Sequence, residues 1–289
     1  MRVLVIGGSG FTGQRVLAQA PWSWSIAATA RSHSSEAVVG SFGAQPLKAD
    51  LNDMASIRAA LAKWTPELVI CTASLGFGHA PGLVDALLNT GVPKTVFTST
   101  TGIFTSLNPD SKAVRIEAES AITASELGAA ILRPTMIYGR PGDRNMERLL
   151  GAARRLPVMP MPGSGRILHQ PVHVDDLANA IIAAGRRSLP PRIAINVPGP
   201  SPIEFRELLR EACRAVGRRG IVIPLPTGAF RAAAVASERL AKAPIVTIEQ
   251  VERLLEDKSF DASDARDHLG HDPRAFSLGI RDEARALFD

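Results

Sequence analysis

The residues whose types and spacing could do chemistry begin seven positions in. Gly7-Gly8-Ser9-Gly10-Phe11-Thr12-Gly13 directly follows a short apolar run and places glycines at 7, 10 and 13. A chain turning sharply from strand to helix needs one glycine in a conformation other residues avoid. A second glycine lets backbone approach a pyrophosphate without a Cβ clash, and a third lets helix and sheet pack closely. The helix N-terminus then offers free N–H groups and a positive dipole end to phosphates, and Ser9 and Thr12 can add hydroxyl donors. A tight turn without a ligand would use the same glycines, but a motif set between a clean strand and a clean helix is the context of a dinucleotide fingerprint. The expected binders are Gly7, Ser9, Gly10, Phe11, Thr12 and Gly13.

The next apolar run ends in Thr29-Ala30-Arg31-Ser32, and its nearest carboxylate is Glu36. A carboxylate at such a strand end accepts from the ribose 2′-hydroxyl of NAD(H), whereas an arginine suits a 2′-phosphate. NADP(H) is therefore expected over NAD(H), held by Arg31 and Ser32, although a solvated arginine would read the same way. Asp50-Leu51 would frame the adenine amine; Asp50 could equally cap the helix that follows.

Other candidates are weaker. Arg140 and Arg144, with Arg166 from the Gly163–Gly165 loop, could face an anionic substrate or be surface charge. His169 and His173 lie four apart with Pro171 between and no third ligand placed, so no metal site is expected. His268 and His271 flank Gly270 and read as a solvated loop. Cys71 and Cys213 form neither a disulfide framework nor a metal cluster, and Cys71 sits in an apolar strand pattern as a small core residue.

The elements that must position these residues alternate. Strands are expected at 3–6, 25–30, 45–49, 68–72, 95–98 and 129–132, and helices at 11–20, 54–64, 81–89 and 112–126, with Asp53 as a cap. This alternation implies an α/β fold with a doubly wound parallel Rossmann sheet. After Pro134 the pattern loosens, with a helix near 146–155, a strand at 169–174, a helix capped by Asp175 running to about Arg187, and a strand at 193–197. From Ser201 the chain reads mostly helical. The expected organisation is a dinucleotide-binding Rossmann domain, 1–133 plus 173–198, and a smaller, mostly helical substrate lobe, 134–172 plus 199–289.

The chain has 289 residues, 45% hydrophobic and 21% charged, with formal charge +5. Its 27 Arg and 6 Lys are dispersed, and no basic run is interleaved with aromatics, so nucleic-acid binding is not expected. The apolar run 3–6 is too short for a signal peptide, and no stretch approaches a membrane span. A cytoplasmic protein with no membrane or nucleic-acid partner is expected.

Together these segments resemble the short-chain dehydrogenase/reductase superfamily, in its extended and atypical, epimerase-like branches, over nearly the whole chain. Val5-Ile6 with the glycine loop looks like the family's opening, and Ala49-Asp50-Leu51 like its adenine-side loop. Leu132-Arg133-Pro134-Thr135-Met136-Ile137-Tyr138-Gly139 resembles its "RP…YG" segment. Gln170-Pro171-Val172-His173-Val174-Asp175-Asp176-Leu177-Ala178 resembles its "hvdDla" strand and helix, and 259–270 its C-terminal lobe. The resemblance implies that Thr72, Ala73 and Ser74 line the cofactor ribose and that Pro134, Thr135 and Met136 touch the carboxamide end. It implies that Ser99, Thr100 and Thr101 sit over the reacting carbon, with Ser99 matching the family serine that hydrogen-bonds a substrate oxygen.

The resemblance breaks at the proton-transfer pair. Family enzymes carry a Tyr and a Lys four residues later on one helix face, where the ammonium lowers the phenol's pKa. The single tyrosine here is Tyr138, followed four residues later by Gly142. Aligning Ala118-Glu119 with the family's "AE" puts Ser111 in the tyrosine slot and Arg115 in the lysine slot. Serine is a far weaker acid than a phenol, and arginine does not relay protons. Three readings remain open. One is an oxidoreductase or epimerase with other catalytic groups, Ser99, Thr101 and Lys112, acting on a small polar substrate near Thr100, Arg140 and His169, an anionic one if the arginines face it. The others are an NADP(H)-binding regulator like the family's nitrogen-metabolite-repression proteins, and a structural subunit like the Rossmann-fold accessory subunit of respiratory complex I. Family enzymes often pair through the fourth and fifth crossover helices, so a homodimer through 81–89 and 112–126 is expected.

Overall fold

The computed structural model describes residues 1–143, 145–240 and 248–289; Arg144, one of the candidate anion-facing arginines, lies outside the described residues. The first half alternates β1 (Arg2–Ile6), α1 (Phe11–Gln19), β2 (Ser25–Ala30), α2 (His33–Ser41), β3 (Gln45–Lys48), α3 (Met54–Trp64), β4 (Leu68–Cys71), α4 (Ala80–Asn89), β5 (Thr95–Thr98), α5 (Asp110–Ala124) and β6 (Ala129–Pro134). Then come β7 (Ile137–Tyr138), α6 (Met146–Arg155), β8 (Met159–Pro162), β9 (Leu168–His169), β10 (Val172–His173), α7 (Val174–Arg186) and β11 (Ile193–Val197). The remainder is β12 (Ile203–Glu204), α8 (Phe205–Ala215), β13 (Val222–Leu225), α9 (Thr227–Leu240), α10 (Ile248–Leu254), a π turn at Ala265–Leu269 and α11 (Phe276–Phe288).

Seven strands form one parallel sheet in the order β3-β2-β1-β4-β5-β6-β11. The order reverses between β1 and β4, and in such sheets the crevice beyond the strand C-termini at that point is where ligands bind. Side chains alternate across the pleat, so β1 sends Leu4 and Ile6 into the core against α3 and α4, and Val3 and Val5 into the core against α1 and α7. Burial on both faces explains why these strands are continuously apolar. A third cluster gathers Tyr138 with buried residues of α6, α8 and α11.

Three sequence expectations change. No helix was expected between β2 and β3, yet α2 lies there. Its His, Ser and Gly content gives weak periodicity, and it is started by Ser32, whose side chain accepts from the Ser35 N–H in a reciprocal cap. The single strand expected at 169–174 is two short ones, split at Pro171, because β9 pairs with β12 and β10 with β7. The cap of α7 is His173, whose Nδ1 accepts from the Asp175 N–H at 3.1 Å; Asp175 instead lies in the first turn. Asp53 caps α3 as expected, accepting from the Ala55 and Ser56 amides.

Candidate functional site

The glycine loop joins β1 to α1 through tight backbone contacts. Gly7 has φ +86°, and a Cβ there would lie 2.9 Å from the Ala73 nitrogen. At Gly13 a Cβ would lie 2.1 Å from the Gly7 carbonyl oxygen, so the first turn of α1 sits directly on the loop backbone. The Gly10 N–H donates to the Gly7 carbonyl at 3.0 Å, and the Thr72 hydroxyl donates to the Ile6 and Gly7 carbonyls, locking the loop to the end of β4. Helix α1 enters from Gly10 with no side-chain cap. The N–H groups of its first turn, Phe11 to Gly13, thus have no partner within the helix. A pyrophosphate oxygen would accept from those N–H groups, and the residues present fit a dinucleotide.

At the end of β2, Arg31 and Ser32 are exposed. Ser32 spends its hydroxyl on the α2 cap and on the neighbouring hydroxyls of Ser34 and Ser35, so the cations at this edge are exposed Arg31 and exposed Lys48, the latter in register with Ala30. Asp50 accepts from the Asn52 N–H, and Leu51 packs on the core below α3.

A cavity of about 290 Å³ opens beside this loop at the C-terminal ends of β4 and β5. Thr12 reaches it from α1, Thr72 and Ser74 from the loop after β4, and Ser99 and Thr100 from the loop after β5. Ile137 lines it from β7; the expected carboxamide contacts Pro134, Thr135 and Met136 do not line it. Thr135 is turned away, donating to the Gln170 carbonyl at 2.5 Å, and Met136 packs against the third core. Ala73 abuts Gly7.

The expected catalytic groups separate. Ser99 is in the cavity wall, and its hydroxyl donates to Glu119 Oε1 at 2.5 Å. Glu119 is buried on α5 and is gripped by the Arg133 guanidinium, whose Nε donates at 2.9 Å. With its hydrogen so committed, Ser99 offers the cavity an acceptor. It can take a hydrogen bond from a substrate hydroxyl but does not polarise a carbonyl. Thr100 lines the cavity while its oxygen accepts from the Gly102 N–H.

Thr101, Lys112, Arg140 and His169, also expected at the site, do not line this cavity. The Thr101 hydroxyl is buried against the Pro134 carbonyl. The Lys112 ammonium donates to the Thr105 carbonyl at 2.7 Å. Arg140 binds Asp175 at 2.9 Å, sharing that carboxylate with Arg15 and Gln19 of α1. Arg140 and Arg15 line a separate cavity of about 350 Å³ over α1. His169 packs on Phe205 with ring centroids 5.1 Å apart, and burial, with the nearby Lys258 charge, pushes its imidazole down to about 4. Arg166 is exposed outside the cavity.

Tyr138 is wholly buried between His173 and Phe276, with its hydroxyl unpartnered among the described residues, and burial pushes the phenol well above its ordinary range. It cannot meet a substrate. The two residues in the family's Tyr and Lys slots are joined instead: Arg115 Nη1 donates to Ser111 Oγ at 2.8 Å. Arg115 lines the cavity, where it is met by Arg253, Glu256 and Lys258 from the segment at and after α10. Sequence reasoning missed those three. They carry no local motif, and only the return of the C-terminal segment across the sheet end brings them here.

The family described as NAD(P)H-binding matches residues 7–157. Over 229 residues the chain is 25% identical to the 3β-hydroxysteroid-dehydrogenase/decarboxylase isoform 1 of Arabidopsis thaliana, covering 66% of this chain and 52% of that protein. The chain spans about half the length of the first curated relatives it matches. The crystal structure of gox2253 superposes with a TM-score of 0.78 at 20% identity, covering 99% of this chain and 97% of that one. The Thermus thermophilus UDP-glucose 4-epimerase complex with NAD gives 0.74 at 20% identity, covering 99% of each. These last two likenesses are of fold. The family match over residues 7–157 decides it: the chain belongs to the NAD(P)H-binding family, and its fold is shared with solved structures of an epimerase and a dehydratase.

Proposed function

We propose that the chain is an NADP(H)-dependent oxidoreductase or epimerase-like protein of the atypical short-chain dehydrogenase/reductase type, acting in the cytoplasm on a small polar substrate. The observation that carries this is one continuous cavity. Its wall includes Thr12 of the glycine-loop helix, Thr72 and Ser74 after β4, and Ser99 and Thr100 after β5, so a bound dinucleotide and a small molecule would share it. Bound nicotinamide would supply the hydride chemistry; Ser99 would hold a substrate hydroxyl by accepting its proton in a hydrogen bond. The plant relative's name, a dehydrogenase/decarboxylase, supports redox chemistry. Exposed Arg31 and the absence of a carboxylate at the end of β2 support the 2′-phosphate. Buried, unpaired Cys71 and Cys213 suit a reducing compartment.

The Ser111–Arg115 pair favours a second reading, a non-catalytic NADP(H)-binding regulator or structural subunit, because the groups that move the proton in family enzymes are replaced. Titration of the purified chain with NADP+, NADPH, NAD+ and NADH separates the readings. Both NADP forms binding alike and ahead of both NAD forms supports an enzyme. A strong preference for one redox form supports a sensor, since only differential affinity shifts a population. Arg31→Ala should weaken NADP(H) by about tenfold or more while leaving NAD(H) nearly unchanged; equal losses would remove the 2′-phosphate role.

A further inference from the structure

The dinucleotide accounts for the loop side of the cavity and leaves its opposite end, which is cationic, without a role. Three cations line the cavity, Arg115, Arg253 and Lys258, against one carboxylate, Glu256. That carboxylate is already engaged by three hydrogen bonds. Its Oε2 accepts from the Thr105 hydroxyl at 2.5 Å, and its Oε1 from the Ser106 N–H and hydroxyl at 2.7 and 2.5 Å. Burial alone would raise the Glu256 carboxyl, but those hydrogen bonds, with a smaller contribution from the Lys258 charge, outweigh it and keep it low. Glu256 therefore fastens the C-terminal segment to the loop before α5 and has little capacity left for the guanidinium groups.

The cations are poorly matched by the protein itself. Among the described residues Arg115 has a neutral hydrogen-bond partner, Ser111, and no carboxylate charge acts on it to offset its burial. Its guanidinium rests against Gly76, where a Cβ would come within 3.1 Å of it. Arg253 pairs through Nη2 with exposed Glu249 at 2.7 Å, while its Nε is buried without a partner among the described residues. Lys258 donates to the Arg253 carbonyl and keeps further N–H donors. Burial lowers the pKa of both Arg115 and Lys258, and the Arg253 charge lowers both further, against Glu256 in the lysine's case. A buried unpaired donor and neighbouring like charges are each costly, and both costs are relieved by an anionic acceptor.

We propose that Arg115, Arg253 and Lys258 form an anchor for an anionic group of the substrate, a carboxylate or a phosphate, so that the slot that holds the catalytic lysine elsewhere in the superfamily here serves binding. The proposal rests on the reading above for the word substrate; the anion site itself stands on its own observations. Arg115 and Arg253 present planar donor forks, which suit either oxyanion.

The test is calorimetric titration of the full chain, loaded with NADPH so that the glycine loop is filled, with inorganic phosphate and separately with malonate. Binding of phosphate, malonate or both is expected, the stronger one identifying the oxyanion. Arg115→Gln and Arg253→Gln should each weaken it by about tenfold or more. Exposed Arg148→Gln should leave it unchanged. Thermal melts check that each variant folds. Binding of neither anion, or equal binding by all variants, overturns the anchor. If NADPH itself does not bind, the dinucleotide reading falls, and the same titration of the free chain still tests the anchor through Arg253→Gln.

Discussion

Tyr138 is the chain's one phenol, and its place between His173 and Phe276 makes it a packing residue with an unsatisfied hydroxyl. Leaving a buried hydroxyl unpaired costs about 1–3 kcal/mol, so Tyr138→Phe should melt at the same temperature or higher and keep its NADPH affinity. A loss of affinity or of any turnover found would return the phenol to the site. Glu283 has no exposed surface. Its Oε2 accepts from the Gly139 N–H at 2.9 Å, and its Oε1 has no partner among the described residues. Burial, with the Asp143 charge next, pushes its carboxyl up from 4.5 to about 8. A folded value above the unfolded one gives stability that is fully present below pH 4.5 and is lost as pH rises to about 8. Glu283→Gln keeps an acceptor for Gly139 and cannot ionise. Melts across this range should show the variant above the native chain at high pH and the two converging at low pH; parallel curves would refute it.

At the scale of elements, Asp175 joins α1, the loop after β7 and α7. It accepts from Arg15 at 2.5 Å, Gln19 at 3.0 Å and Arg140 at 2.9 Å. Burial would raise its carboxyl, but the hydrogen bonds from Arg140 and Arg15 outweigh burial and hold it below its usual 3.8. Its contribution is therefore present above that pH and lost as pH falls through the lower folded value. Arg140 is partly exposed, which discounts the pair. Asp175→Asn should cost about 1–3 kcal/mol by denaturant titration at neutral pH, and less in acid. It should also weaken NADPH binding, because α1 carries the uncapped amides. A variant with native stability and affinity would show the three elements hold without it.

For the molecule as a whole, we expect a homodimer through α4 and α5, where Leu88 and Ile116 are 41% and 44% exposed. Light scattering should give twice the 30.7 kDa chain mass, falling to one chain mass when Leu88→Glu and Ile116→Glu are combined. A native monomer at high concentration removes the pairing. Among the described residues no helix is long and apolar enough to cross a membrane.

The sequence by itself determined the sheet and its glycine loop. β1, β5 and α3 were legible because their signals are local: an apolar run, a glycine spacing, the Asp53 cap and apolar residues at helical period. The loss of the Tyr and Lys pair was legible for the same reason, since both belong to one helix face. Helix α2 was not, because its nine residues bury only Val39 and carry little amphipathic pattern. Tertiary structure alone decided what those local signals could not reach. It set Arg140 on Asp175, closed Ser99 onto Glu119, and brought Arg253, Glu256 and Lys258 to Arg115. Those contacts join residues far apart in the chain, and which side chain faces a cavity and which a carbonyl is fixed by packing between elements, for which spacing along one element holds no record.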